Sequence, residues 1–240
     1  MATYVISDIH GEYDMFMELL EKIALSDADT LYVLGDMLDR GPHPIKVLQK
    51  IMEMPNVVCL VGNHELMALE SLKFLTQEIT PESIKQLDAE MLEGFLAWTG
   101  YNGGQATVDE FRTLRREEQK DVLEFLEELE IYEELTVAGK AYLLVHAGLG
   151  GYYPGKPLDD YTLKELVWDR AEYDIQYFEN ISVVTGHTPT QYIPGNEKPG
   201  FIFRQNNHVA IDCGAYIPGG RLAALCLETG EEFYVSSSNP

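Results

Sequence analysis

The chain is long enough to bury one sizeable core, and it is strongly acidic. It has 240 residues, 45% of them hydrophobic, and a formal net charge of −23, which suits a single domain. The charge argues against nucleic acid as a partner, because nucleic-acid binding relies on a broad basic face. It also disfavours an acidic substrate through long-range repulsion. The sequence has neither a long apolar run nor a basic amphipathic segment, so a membrane partner is not expected.

The N-terminus and the cysteines predict a cytoplasmic protein. Residues 1–4 lead directly into an apolar run without a basic segment, so no secretory signal is expected. Cys59, Cys213 and Cys226 are odd in number and have apolar neighbours. Reduced core thiols are the simplest interpretation.

The first 70 residues alternate between short apolar runs and helical patterns. Strands are predicted at residues 3–7, 31–34 and 57–61, and each is followed by apolar residues at helical spacing. Alternation of this kind is typical of βαβ units in a mainly parallel sheet. The turns that leave such strands gather along one edge of the sheet, where ligands bind.

From about residue 76 to residue 134 the pattern is helical and acidic, with 16 acidic residues and five basic ones. We interpret it as a solvated helical insert rather than an acidic interaction tail. A helix is predicted to begin at Pro81 and Glu82. The residues expected on its buried face are Leu87, Met91, Leu92 and Phe95. Between the helices, residues 98–104 hold three glycines and two aromatic residues, which predicts a tight loop that closely approaches a neighbouring structure such as the site.

The second half of the chain is rich in short strands. They are predicted at residues 135–138, 142–145, 182–185, 201–203, 209–211, 222–227 and 233–235. Gly139 and Lys140 predict a hairpin turn between the first two. These strands can form a second sheet packed on the first. The tail at residues 236–240 is expected to fray.

The main functional signal is the recurrence of ligand-type side chains directly after apolar runs. They are Asp8, His10, Asp36, Asn63, His64, His146 and His187. One histidine, or one aspartate beside a glycine, is more often structural, but four of the six histidines occupy such positions. A mixed histidine, aspartate and asparagine set suits manganese, iron or zinc. Seven groups are too many for one ion with open positions, so we expect two divalent ions joined by a carboxylate.

Five ordered motifs resemble those of the calcineurin-like metallophosphoesterases, and within them the PPP-type serine/threonine protein phosphatases of the compact bacterial and bacteriophage branch. The motifs are Asp-x-His-Gly at 8–11, Gly-Asp-x-x-Asp-Arg-Gly at 35–41, Gly-Asn-His-Glu at 62–65, His-Ala-Gly at 146–148 and Gly-His-Thr at 186–188. The resemblance implies an α/β fold, with two mixed β-sheets packed as a central sandwich flanked by helices. A single domain would then span residues 1–240 and carry the helical insert.

The resemblance also implies a role for each motif residue. The ligands of the first ion would be Asp8, His10 and Asp36. Those of the second would be Asp36, Asn63, His146 and His187, with Asp36 as the bridge. His64 resembles the general acid, and Asp39 would orient it. Arg40 and Arg170, the latter in the element Trp-Asp-Arg, resemble clamps for the substrate phosphate, which Asn63 would also contact.

The function expected from this resemblance is hydrolysis of phosphoserine or phosphothreonine in a phosphorylated protein or peptide. A metal-bridging hydroxide would attack phosphorus in line, with manganese as the favoured metal. The alternative within the superfamily is a dinucleoside tetraphosphate hydrolase. It is disfavoured because those enzymes tend to have alanine and aspartate where this chain has Asp39 and Glu65. A degenerate binding module is disfavoured because every motif residue is present, including His64.

Overall fold

A computed structural model describes residues 1–76 and 89–236 of the chain. Within these ranges the chain forms two five-stranded sheets and their flanking helices. The helix start predicted at Pro81 and Glu82, its stripe residue Leu87, and the tail beyond Ser236 lie outside the described residues.

The first sheet has the strand order β10-β9-β1-β2-β3. Its strands are β1 (Thr3–Ile6), β2 (Thr30–Val33), β3 (Val57–Cys59), β9 (Arg221–Cys226) and β10 (Glu232–Ser236). The first three are parallel, whereas β9 is antiparallel to both of its neighbours, β1 and β10. The helices α1 (Tyr13–Lys22), α2 (Pro44–Met52) and α3 (Asn63–Thr76) follow β1, β2 and β3 in turn. The predicted βαβ organisation is therefore confirmed, and the turns after these strands lie at one edge.

The second sheet has the order β4-β5-β6-β8-β7. Its strands are β4 (Tyr132–Val137), β5 (Lys140–Val145), β6 (Ile181–Thr185), β7 (Phe203–Gln205) and β8 (His208–Ala210). The predicted hairpin turn is one residue late, because Lys140 already pairs with Val137. The turn residues are Ala138 and Gly139, whose φ angles of 49° and 78° suit a tight two-residue hairpin.

The two sheets pack face to face and are covered on their outer faces. Val5 of the first sheet shares one buried cluster with Leu144 and Val184 of the second. The neighbouring Ile6 and Val183 belong instead to clusters on the outer faces. Since successive residues of a strand point to opposite faces, each sheet is buried on both sides. This arrangement confirms the predicted fold class, a sandwich of two mixed sheets flanked by helices.

The described part of the insert consists of α4 (Ala89–Tyr101), α5 (Gln105–Phe111) and α6 (Arg116–Glu127). These helices pack on α2 and α3, and Trp98 of α4 joins the cluster that holds Phe16 of α1. The predicted stripe is wrong at Met91 and Leu92, which are 38% and 49% exposed. Burial of the large Trp98 indole turns a different face of α4 inward.

A short helix, α7 (Leu163–Val167), packs on the outer face of the second sheet through its buried residues. It leads directly into the predicted Trp-Asp-Arg element at residues 168–170. Among the described residues, no helix combines the length and the apolar character needed to cross a bilayer.

Candidate active site

The turns that leave the strands have left-handed backbone conformations at six of the predicted site residues. The φ angles are 50° at Asp8, 46° at His10, 53° at Asp36, 70° at Asp39, 66° at Arg40 and 61° at His187. Such angles are uncommon in residues other than glycine and persist where surrounding contacts enforce them. Here the first two turns are joined by backbone hydrogen bonds, from Asp8 to Gly35 at 3.1 Å and from His10 to Asp36 at 2.9 Å.

Two groups of potential metal-binding atoms share one carboxylate. They are His10, Asp36 and His64, and Asp36, His146 and His187, and the atoms of each group lie within 4.8 Å of one another. Oδ2 of Asp36 is 3.5 Å from Nε2 of His10, and Oδ1 is 3.4 Å from Nε2 of His146. Asn63 faces the second group, with Oδ1 3.1 Å from Nε2 of His146. Asp36 thus occupies the position that a bridging ligand requires.

Hydrogen bonds to backbone carbonyls orient the imidazoles. Nδ1 of His10 lies 2.9 Å from the carbonyl of Leu38. Nδ1 of His146 lies 2.6 Å from the carbonyl of Leu34. With hydrogen on Nδ1, the Nε2 lone pairs point at Asp36, which is how ligating histidines are commonly oriented. Burial lowers the pKa of both rings and lowers the pKa of His187 to about 3, so all three imidazoles are neutral, as ligands must be.

The acids around this cluster also fit a binuclear divalent centre. Asp8, Asp36, Glu65 and Asp212 are each at most 2% exposed. Burial raises the pKa of Asp8 well above its usual range and that of Asp212 to about 7. Buried carboxylates without positive charge are costly, and divalent ions would supply that charge. Neutral imidazoles beside buried carboxylates are therefore the donor set that such ions need.

Asp8 lines one cavity with His10 and Asp36 but belongs to neither of the two close donor groups. Its carboxylate accepts hydrogen bonds from the backbone N–H of His187 at 3.0 and 3.1 Å, and from the hydroxyl of Ser7. The third member of the group with His10 and Asp36 is instead His64, whose Nε2 lies 3.9 Å from Oδ2 of Asp36. Asp8 therefore joins the two sheets at the site, and its role as a ligand stays a prediction.

His64 and Asp39 form the predicted pair. Nδ1 of His64 lies 2.6 Å from Oδ2 of Asp39, and Nη2 of Arg40 lies 3.1 Å from the opposite ring nitrogen, Nε2. Burial opposes protonation of His64, but the charge of Asp36 and the hydrogen bond that His64 donates to Asp39 outweigh it and raise the pKa of His64. A histidine with this pKa shift is suited to hold a proton at the cavity.

Both predicted phosphate clamps line a cavity of about 210 Å³, together with every predicted metal ligand except His146. Arg40 stacks on Tyr216, with Cζ 4.1 Å from the ring centroid. The same tyrosine packs edge-on against His10, with ring centroids 4.8 Å apart. Arg170 and Tyr192 complete the side of the cavity that is open to solvent.

Sequence reasoning missed the residue that holds the turn after β2. The carboxylate of Glu65 accepts hydrogen bonds from the backbone N–H groups of Asp36, Met37, Leu38 and Gly62, at 2.7, 2.8, 3.2 and 3.0 Å. Burial raises its pKa to about 7. Its position in the motif at residues 62–65 could have predicted this role, because an acidic side chain in a buried turn needs hydrogen-bond partners.

Asp212, Trp98 and Thr107 were missed as well. Asp212 lines the cavity and follows β8 much as Asp8 follows β1, so the rule applied to the other strand ends could have found it. Trp98 and Thr107 both donate hydrogen bonds to Asp39. Their contacts with Asp39 depend on how the insert packs against the rest of the domain, and a local sequence pattern does not predict that packing.

The family model of calcineurin-like phosphoesterases matches residues 1–214. The chain belongs to this family, as the fold and the donor groups lead one to expect. A crystal structure of a protein provisionally assigned as a diadenosine tetraphosphatase has a TM-score of 0.69 and 19% identity, and the match covers 100% of this chain and 95% of that one. At 19% identity, this similarity shows a shared fold and no more.

Two curated relatives carry the name bis(5'-nucleosyl)-tetraphosphatase, symmetrical. The protein from Baumannia cicadellinicola subsp. Homalodisca coagulata is 38% identical over 104 residues, which is 42% of this chain and 36% of the relative. The protein from Salmonella paratyphi B is 46% identical over 68 residues, or 28% of this chain and 24% of the relative. The chain thus matches only about a quarter to a third of the length of these relatives.

The expectation of a protein phosphatase with a phosphorylated protein as its partner is wrong, because the curated relatives are named as dinucleoside tetraphosphatases. The residues that disfavoured this alternative were Asp39 and Glu65. Asp39 is fully buried and Glu65 is 1% exposed. Both serve to hold other groups of the protein, so neither reports which leaving group the cavity accepts.

Proposed function

We propose that this protein is a metal-dependent hydrolase that cleaves dinucleoside tetraphosphates at the middle of the phosphate bridge. The observation that carries the proposal is a single cavity that brings Asp36 and both predicted clamps, Arg40 and Arg170, together with three imidazoles of the donor groups, those of His10, His64 and His187. The name of the curated relatives supports the choice of substrate. Two divalent ions, which we take to be manganese with iron or zinc as alternatives, would supply positive charge to the phosphoryl oxygens and lower the pKa of a water nucleophile.

Each predicted residue then has a defined task. The ligands that would hold the ions are Asp8, His10, Asp36, Asn63, His146 and His187. Arg40 and Arg170 bind the phosphoryl oxygens, for which a planar guanidinium is well shaped, and Asn63 also faces them. His64 delivers a proton to the oxygen of the departing nucleoside diphosphate, and Asp39 keeps the imidazole in position.

The nucleosides would lie at the rim of the cavity. Its volume of about 210 Å³ is below the roughly 300–1,000 Å³ of sites that enclose a drug-sized ligand, so it suits phosphoryl groups. Tyr192 lines this cavity and is 61% exposed. An exposed aromatic ring beside a phosphate site can stack on a nucleobase, which is worth about 1–3 kcal/mol per base.

The acidic character of the chain is compatible with this substrate. The net charge of −23 disfavours an anionic ligand at long range. At the cavity, however, the phosphate bridge would meet Arg40, Arg170 and two divalent ions, and interactions at short range and partial burial are screened little. Local charge therefore decides binding there.

Product analysis tests the proposal. Diadenosine tetraphosphate is incubated with the manganese-loaded protein, and the nucleotides are separated by anion-exchange chromatography. Cleavage at the middle of the bridge yields adenosine diphosphate as the sole nucleotide product. A His64→Asn preparation purified in the same way should be slower by about 10²–10⁴-fold, which would show that the activity does not come from a contaminating hydrolase. A mixture of mono- and triphosphate, or turnover of a phosphopeptide that is faster by orders of magnitude, would contradict it.

A further inference from the structure

The segment at residues 98–107 reaches the pair of His64 and Asp39. Only residues 102–104 of the loop predicted at 98–104 connect two helices, because residues 98–101 form the last turn of α4 and residues 105–107 the first turn of α5. Nε1–H of Trp98 donates a 2.6 Å hydrogen bond to Oδ2 of Asp39. The hydroxyl of Thr107 donates one of 2.5 Å to Oδ1, and the backbone N–H of Asp39 donates one of 3.1 Å back to that hydroxyl. Two side chains of the insert therefore bind one carboxylate.

These bonds leave the Asp39 carboxylate little freedom. Oδ2 also accepts the hydrogen bond from Nδ1 of His64, so both oxygens have fixed donors. Asp39, Trp98 and Thr107 are all 0% exposed. Away from water, hydrogen bonds of this kind are strong, and a loss of one partner is costly.

The glycines let the loop come this close. Gly103 has a φ of 82°, its carbonyl accepts a 3.1 Å hydrogen bond from the backbone N–H of Arg40, and a Cβ there would lie 2.8 Å from Cγ of Arg40. A Cβ on Gly104 would lie 2.3 Å from the Trp98 ring. The loop is thus pressed against Arg40 on one side and against its own indole on the other.

We propose that Trp98 and Thr107 are positioning residues that act on His64 through Asp39, so that the insert is part of the catalytic apparatus. The inference rests on the proposed function only in taking His64 as the donor of a proton to the leaving group. Held by these two side chains, Asp39 keeps Nδ1 of His64 engaged and directs Nε2 toward the cavity. Misorientation of a proton donor slows the chemical step without weakening binding.

Kinetics on two aryl phosphates separates positioning from a general structural effect. Phenyl phosphate has a basic leaving group and depends strongly on a proton donor, whereas p-nitrophenyl phosphate depends on it weakly. For Thr107→Val we expect kcat on phenyl phosphate to fall by about tenfold or more, with a smaller fall on p-nitrophenyl phosphate and KM within about twofold for both. Thr107→Ser should restore the rate, since it restores the hydroxyl.

A matched control lies on α4. Thr99 donates its hydroxyl to the carbonyl of Phe95 at 2.8 Å and belongs to the same insert. Thr99→Val therefore removes a comparable hydrogen bond without touching Asp39, and it should leave both rates unchanged. An equal loss on the two aryl phosphates, or equal behaviour of the two valine variants, would overturn the proposal.

A spectroscopic readout needs neither metal nor turnover. The short hydrogen bond to a carboxylate should place the indole N–H proton of Trp98 downfield in the ¹H–¹⁵N spectrum of the metal-free protein. Asp39→Asn should move it upfield, and Thr107→Val should change the ¹⁵N shifts of the His64 ring. Unchanged His64 shifts in Thr107→Val would refute the coupling. If aryl phosphates are hydrolysed but dinucleoside tetraphosphates are not, the proposed function fails while this inference stands.

Discussion

Oε2 of Glu65 accepts a 2.7 Å hydrogen bond from the backbone N–H of Asp36. A side chain of α3 thereby fixes the turn after β2, at the residue shared by both donor groups. The conformation of Asp36, with its φ of 53°, is one that an aspartate rarely adopts unless its neighbours enforce it. Glu65 is such a neighbour.

The variant Glu65→Gln should bind divalent metal more weakly. Its amide group would replace one carboxylate oxygen and face backbone N–H groups that need an acceptor. Loss of a residue that orients ligands typically costs about 10–100-fold in metal affinity, which titration calorimetry with Mn²⁺ measures. Glu70→Gln, at an exposed position on the same helix, serves as the control. Equal affinities in the two variants would show that Glu65 does not organise the site.

Replacement of His64 by asparagine should remove activity and spare the metal. General acid catalysis contributes about 10²–10⁴-fold to rates, so kcat should fall within that range. Metal content measured by inductively coupled plasma spectrometry should stay at the wild-type value, because His64 is assigned to proton transfer. His43→Asn, which alters a histidine bonded to Glu110 on α5, should change neither quantity. Loss of metal from His64→Asn would reassign the residue to the ligands.

Asp212 makes the stability of the metal-free protein depend on pH. Burial raises its pKa to about 7, against a usual value near 4. Between these values the folded chain keeps a proton that the unfolded chain has released, so stability falls as pH rises from about 4 to about 7 and stays low above.

Asp212→Asn should cancel this loss, because an amide can still accept the 2.9 Å hydrogen bond from the N–H of Gly214. With chelator present, we expect its Tm to exceed the wild-type Tm at pH 8 by several degrees, roughly the effect of one to two kcal/mol, and to match it near pH 4. Thermal scans at both pH values measure the difference. The exposed Asp27→Asn should show none. A lower Tm for Asp212→Asn at pH 8 would contradict the argument.

Tyr192→Ala should weaken the binding of nucleotides selectively. Loss of one stacked base costs about 1–3 kcal/mol, so KM for diadenosine tetraphosphate should rise by about tenfold or more. KM for p-nitrophenyl phosphate, which has no nucleobase, should change little. Tyr153→Ala, at a tyrosine that is 55% exposed and outside the cavity lining, is the control. A parallel rise for both substrates would place Tyr192 in the phosphate site instead.

The sequence predicted which side chains meet around Asp36 because each candidate ligand directly follows an apolar strand. Strand ends of parallel βαβ units converge by topology, so Asp8, Asp36 and Asn63 could be placed together without coordinates. Docking of the insert could not be predicted in this way. The contact of Trp98 with Asp39 joins residues far apart in the chain, and helical periodicity alone favoured Leu92 for the buried face. The substrate was misjudged because Asp39 and Glu65 face the protein rather than the ligand.

The 2.6 Å hydrogen bond from Nδ1 of His146 to the carbonyl of Leu34 has a practical consequence for capturing the natural substrate. This hydrogen bond joins the end of β5 in one sheet to the end of β2 in the other. An inactive variant at His146 would therefore also weaken the contact between the two sheets. An inactive variant that is meant to retain bound cellular ligands should therefore be made at His64. The ring of His64 contacts Asp39 and Arg40, so its replacement does not remove the hydrogen bond between the sheets.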